Sequence, residues 1–123
     1  MIQKNFNSTT ELLKAFSSEE LCIEYLERLR WHGQIISPFD PSSTVYKCQG
    51  NKYRCRNTGK YFNVRTGTVF ASSKTSLQKW FIIIWYAVTY KDEASPAQLA
   101  KEIKVMEKTA ALMLQRIKEY LAA

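Results

Sequence analysis

From residue 47 to residue 91 the chain has no aspartate and no glutamate, although nine lysines and arginines fall in the same stretch. The flanks differ: residues 1 to 46 hold four basic and six acidic side chains, and residues 92 to 123 hold five of each. The whole excess of +7 therefore sits in one segment with no acid to neutralise it. A solvated surface that maintains solubility is one reading, but a polyanionic partner accounts better for so long a run without acid.

Other scarcities exclude whole classes of function. Histidine occurs once, at His32 beside a helix-closing glycine and away from any carboxylate cluster, so a surface or capping role is expected rather than catalysis. Cysteine occurs three times, an odd number that does not suit the disulfide framework of a small secreted domain. A Cys48 to Cys55 disulfide across a hairpin is conceivable, but a reducing cytosol disfavours it. The longest apolar run, "WFIIIWYAV" at 80 to 88, is less than half of what a membrane-crossing helix needs. No basic flank followed by an apolar signal segment opens the chain, so a cytoplasmic protein with no membrane partner is expected. There is no Ser, His and Asp set, paired-carboxylate site, phosphate-cradling glycine loop or metal cluster, so no enzyme is expected, and no cofactor.

What is present is a foldable chain. With 123 residues, 46% of them hydrophobic and 13% aromatic, one compact domain is expected. It divides into a helical amino-terminal part (1–33), a β-rich part (34–72) and a helical remainder (73–123). The first ten residues are polar and read as loose. Ser8 with Glu11 and Ser17 with Glu20 both match the capping box at a helix start. The second helix, about 18 to 30, places Leu21, Cys22, Tyr25, Leu26 and Leu29 on one face, which makes Cys22 core filling, and Gly33 closes it.

After the loop of Pro38, Pro41, Ser42 and Ser43 the pattern alternates. "TVYKC", a two-residue Gly50-Asn51 turn and "KYRCR" read as a β-hairpin. That register puts Tyr46, Cys48, Tyr53 and Cys55 on one face and Lys47, Lys52, Arg54 and Arg56 on the other, with Lys47 opposite Arg54. "KYFNVRTGTVF" continues as one or two strands with a bend at Gly67. A third helix starts near Thr75 or Ser76, its stripe formed by Leu77, Trp80, Phe81, Ile84, Trp85 and Val88 with Ile82 and Ile83 on the flank. Burial on more than one side is expected, in one chain or in a homodimer. Ser95 caps a last segment with Pro96 at its first helical position. There Leu99, Ala100, Ile103, Val105, Ala110 and Met113 fall at the spacing of a helix-turn-helix, with Lys104 at the turn position usually given to glycine.

In this order, "EELCIEYLERLRWHG", "VYKCQGNKYRCRNTGKYFNVRTGTVF", "SKTSLQKWFIIIWYAV" and "SPAQLAKEIKVMEKTA" leading to "MLQRIKEYL" resemble the amino-terminal region of insertion-sequence transposases of the zinc-ribbon DDE type. The resemblance covers roughly residues 12 to 120. It implies an α+β fold: a small zinc-ribbon-like antiparallel sheet packed on a helical domain that ends in a helix-turn-helix. It also implies a module that recognises transposon ends for a catalytic domain that follows. The length leaves no room for that domain after the helix-turn-helix, so transposition by this chain alone is not expected. The positions matching the ribbon's four cysteines are Ser37, Asp40, Cys55 and Thr58, a poor ligand set, so a metal-free ribbon is expected, its lost metal offset by Phe39, Tyr46, Tyr53, Tyr61 and Phe62 docking on the helical spine. In the recognition helix Ala111 and Leu112 replace the tryptophan and basic residue the resemblance implies, leaving Lys108, Thr109, Gln115 and Arg116 as groove or phosphate contacts.

Two functions follow. The first is non-enzymatic binding of DNA or RNA, with Lys47, Lys52, Arg54, Arg56, Lys60 and Arg65 on the ribbon and Lys74 and Lys79 at the next helix contacting phosphates, and exposed Tyr or Phe stacking on bases. The second is a regulator or inhibitor carried by a mobile element or phage. It would act by protein interaction, on a full-length transposase or on a host nucleoprotein such as a CRISPR effector, as an anti-CRISPR does.

Overall fold

In a computed structural model, which describes residues 6–71 and 73–122, the chain is mixed α+β, and its backbone contacts group into two units. A helical unit comprises Met1–Glu19 and Lys74–Ala123, and a sheet unit comprises Glu20–Ser73.

The helical unit contains α1 (Thr9–Ala15), α3 (Leu77–Tyr90), α4 (Pro96–Ile103) and α5 (Glu107–Ala122). Local signals set where each starts. Ser8 Oγ accepts the Glu11 amide, Ser76 Oγ that of Lys79 and Ser95 Oγ that of Gln98, each closing an amide a helix start leaves unpaired. Pro96 occupies the first turn of α4, where its missing N–H costs nothing. Every residue from Trp80 to Ala87 is buried, so α3 is enclosed on all sides, and Leu12, Phe16, Leu99, Ile103, Met113, Leu114 and Ile117 complete this core. Glu102 of α4 accepts the hydroxyls of Thr9 and Tyr86, so one carboxylate ties α1 and α3 to α4. The carboxylate of Glu19 accepts the Leu77 and Gln78 amides at the start of α3, where a negative charge is favoured. Between α4 and α5 the chain turns at Lys104, which takes the left-handed conformation at φ 58°.

Of the ten amino-terminal residues expected to be loose, 1–5 lie outside the described residues. The rest are anchored: the Phe6 carbonyl accepts the Trp85 indole N–H at 2.9 Å, and the Phe6 ring meets Phe16 edge-on.

In the sheet unit, α2 (Glu19–Trp31) precedes β1 (Val45–Lys47), β2 (Tyr53–Cys55) and β3 (Tyr61–Phe62), an antiparallel sheet in the order β1-β2-β3. The expected capping box at Ser17 is out of step with the helix, since α2 begins at Glu19, and the Glu20 carboxylate accepts the Asn51 side chain. The buried side of α2 is Cys22, Leu26 and Trp31, whereas Leu21 and Leu29 are exposed. The core of this unit is aromatic: Trp31 meets Tyr53 and Phe62 edge-on, Tyr53 and Phe62 stack, and Phe39 closes on Phe62.

The hairpin register differs by one residue from the expected one. Val45 pairs with Cys55, Tyr46 with Arg54 and Lys47 with Tyr53. Cys48 N–H donates to the Lys52 carbonyl, so Gln49 joins Gly50 and Asn51 in the loop, where the last two carry φ of 73° and 59°. A slip of one residue exchanges the two faces of a strand. Tyr46 therefore points away from the core, and Lys47, not Tyr46, shares a face with Tyr53. It also separates Cys48 from Cys55, and no disulfide joins any of the three cysteines.

Candidate functional site

Two neighbouring places in the sheet unit carry its chemistry: the turns before β1 and after β2, and the outward face of the sheet.

The first holds the positions compared with metal ligands. Ser37 is buried, and its Oγ accepts the Phe39 and Asp40 amides at 3.0 and 3.2 Å. Thr58 Oγ1 accepts the Lys60 amide in the matching turn, where Gly59 N–H closes on the Cys55 carbonyl. With their lone pairs so engaged, both hydroxyls retain a proton to donate to the Cys55 sulfur. Burial, the largest influence, pushes the Cys55 thiol up, but hydrogen bonds from Ser37, Ser43 and Thr58 and the Thr58 backbone outweigh it and bring the thiol down to about 6. Asp40 faces elsewhere. Its carboxylate accepts the Asn57 side chain at 2.8 Å and the Ser42 amide and hydroxyl, bonds that hold it below the usual carboxylate range. Asn57 also donates its amide to Ser43 Oγ, and Arg56 donates its own to the Thr44 carbonyl. The two turns are thus joined by hydrogen bonds through Asn57, Ser43 and the Cys55 sulfur. Among the described residues no three His, Cys, Asp or Glu side chains form a metal-binding group.

The second place is the outer sheet face. The pairings Tyr46 with Arg54 and Arg54 with Tyr61 lay these three residues in one row across the strands. Tyr46 is 42% and Tyr61 55% exposed, correcting the expectation that both rings dock inward; Tyr53 and Phe62 are buried, but against Trp31 of α2 within the sheet unit. Alternation places Lys52 and Arg56 on the same face as Arg54. The Lys52 ammonium lies 4.5 Å from the centre of the Tyr61 ring and the Lys60 ammonium 5.1 Å from that of Phe39, both within cation–π range. The Arg54 guanidinium lies over the turn at Gly59, where a β-carbon would stand 3.7 Å from Nη2.

The remaining basic positions are distributed elsewhere. Lys47 lies on the opposite face of β1 from Arg54 and lines a cleft of about 380 Å³ with Glu24, Glu27, Arg28, Trp31 and Tyr53. In that cleft the Tyr53 hydroxyl donates to Glu27 at 2.7 Å; burial, that bond and the Glu27 charge push the phenol up to about 12. Arg65 donates to the Phe70 and Ser73 carbonyls at 3.2 and 2.9 Å and so braces its own loop. Arg30, which the charge pattern did not single out, does similar work: it donates to the Val64 carbonyl at 2.8 Å and lies over the Trp31 ring, and burial lowers its pKa. Lys74 and Lys79 belong to the helical unit, the first exposed and the second half-buried at the start of α3. On α5, Lys108, Gln115 and Arg116 are exposed and Thr109 is half-buried, with Gln115 donating to Glu119. What the sequence hid is the outward turn of Tyr46 and Tyr61: for Tyr46 it follows from the three-residue hairpin loop, and for Tyr61 from its pairing with Arg54.

Among known proteins the chain is similar to an "uncharacterized protein in transposable element ISH50" from Halobacterium salinarum, with 31% identity over 108 residues. The alignment covers 85% of this chain and 36% of that protein, so the chain spans little more than a third of its relative's length. No protein-family model matches the chain. No solved structure matches it either. No helix among the described residues is long and apolar enough to cross a membrane.

Proposed function

We propose that this chain is a non-enzymatic nucleic-acid-binding protein of mobile-element origin, derived from a transposase end-binding module. The observation that carries the reading is the outer sheet face, where Lys52, Arg54 and Arg56 project from a segment with no acidic residue. A cluster of fixed cations without counter-charge gains most of its binding free energy by releasing condensed counterions from a phosphate backbone. Similarity to a protein of a transposable element supports the origin. The pair α4 and α5 would form a helix-turn-helix, with Lys108 and Arg116 contributing phosphate contacts.

The test is salt dependence. Affinity for a labelled oligonucleotide should fall steeply between low and moderate salt, and reversing both charges in R54E/R56E should abolish it. Binding that ignores salt, or that survives the reversal, rejects the reading.

A second reading has an observation of its own. Leu112 of α5 is 50% exposed, Met106 in the turn before it 73%, and Tyr120 53%. Such side chains suit a regulator that acts by docking on a larger transposase or another nucleoprotein. Purification from lysate with and without nuclease separates the two: a partner protein retained after nuclease treatment supports docking, and its loss supports nucleic acid.

A further inference from the structure

We infer that the outer sheet face binds a single strand, with unpaired bases stacked on Tyr46 and Tyr61 and the phosphate between them held by Arg54. This rests on the nucleic-acid reading above and adds the form of the ligand and the residues that select it.

The argument begins with spacing. Tyr46 and Tyr61 lie on the two outer strands of the sheet and Arg54 on the middle one. Adjacent strands are about 4.8 Å apart, so the two ring positions are separated by about 9.5 Å. Bases along one strand of a duplex are about 3.4 Å apart and cover each other's faces. A duplex therefore offers an outward tyrosine no π-surface at any spacing, and at this one two rings would span several stacked pairs. An unstacked strand can splay two bases onto the two rings and leave the intervening backbone within reach of the Arg54 guanidinium, which leans from the row toward the turn at Gly59.

Exposure and charge agree. Large aromatic side chains on a sheet usually turn toward a core, as Tyr53 and Phe62 do at 2% and 3% exposure. Tyr46 and Tyr61 sit in the next row of pairings, opposite Arg54 and on the other face, and keep 42% and 55% of their surface open. Lys52 sits over one face of Tyr61, where its ammonium can reach a phosphate, and Tyr61 is still 55% exposed with that cation in place. A face that displays rings between cations, with no carboxylate in its own stretch of chain, matches a ligand that alternates bases and phosphates.

The experiment measures fluorescence anisotropy of labelled 12-nucleotide single strands, DNA and RNA, and of the matched DNA duplex, at one fixed low salt concentration. Wild-type protein should bind a single strand at least about tenfold more tightly than the duplex. Stacking on one aromatic ring is worth at least about fivefold in affinity, so Y46A/Y61A should lose about thirtyfold or more on single strands and change little on duplex. Y46F/Y61F, which keeps both rings, should retain wild-type binding, and circular dichroism of each variant establishes that the fold is intact. If the double alanine variant does not fold, Y46A alone carries the test with an expected loss of about fivefold. Equal affinity for duplex and single strand, or alanine variants that bind as wild type, overturns this inference and leaves the nucleic-acid reading standing. Failure of every oligonucleotide to bind at low salt overturns both.

Discussion

The helical unit and the sheet unit keep their shapes by different means. In the first, α3 is buried over eight consecutive residues, and apolar contact comes from α1, α4 and α5 together. In the second, the strands are three, three and two residues long, too short for ladder bonds alone to hold. That unit relies on a small aromatic cluster and on hydrogen bonds in which single polar atoms serve several partners, as Ser37 Oγ does for two amides. Apolar contact is graded and redundant, whereas a buried polar network depends on each member being satisfied. One unit should therefore respond to lost volume and the other to lost hydrogen bonds and to pH.

The largest effect expected is in the helical unit. Trp80 is fully buried, and W80A should cost about 3 to 5 kcal/mol in chemical denaturation, enough to unfold a marginal domain. A cost below about 1 kcal/mol would mean that this core is not the tight one described. In the sheet unit, S37A deletes few atoms but strands the Phe39 and Asp40 amides, for an expected cost of about 2 kcal/mol.

The same variant tests the thiolate. Because the folded Cys55 thiol lies at about 6 rather than 9.0, its contribution to stability is complete above pH 9 and is lost as pH falls through 6. Urea midpoints should therefore rise from pH 6 to pH 9 in the wild type and rise less in S37A, which removes one donor to the sulfur. Y53F should cost about 1.5 kcal/mol by removing the bond to Glu27. With the phenol raised from 10.0 to about 12, the wild type should hold that advantage below pH 10 and lose it as pH rises through 12. The smallest effect has the opposite sign. Lys104 sits at φ 58°, and K104G should stabilise the helical unit by about 0.5 to 1 kcal/mol in thermal melts, since glycine adopts that conformation without strain.

What could be read in advance follows the same division. Helix starts at Ser8, Ser76 and Ser95, and the buried stripe of α3, depend on residues within a turn or two and were legible. The hairpin was legible as a hairpin but not in register, because Gly50 and Asn51 supply left-handed residues equally well to a loop of two or of three. The Ser17 to Glu20 pairing looked like a capping box, but Glu20 found a partner thirty-one positions away at Asn51, a choice no local pattern encodes. At the candidate site the clustering of cations was visible in composition. Which of them are engaged by the fold, as Arg65 is, and which tyrosines face outward depend on tertiary partners and strand pairing.

The loop at Gln49, Gly50 and Asn51 also bears on how this surface can change by inheritance. Because the three-residue loop fixes the pairing and side chains alternate along β1, removing one residue between Tyr46 and the loop, Lys47 or Cys48, would move Tyr46 from its place opposite Arg54 to one opposite Tyr53 and bring it inward. A deletion of a single codon would thus rewrite the outer face without substituting any residue on it. The chemistry of this surface is encoded in the length of the chain as much as in its composition, and comparisons of related chains should weigh gaps between Tyr46 and this loop as heavily as changes at Tyr46 itself.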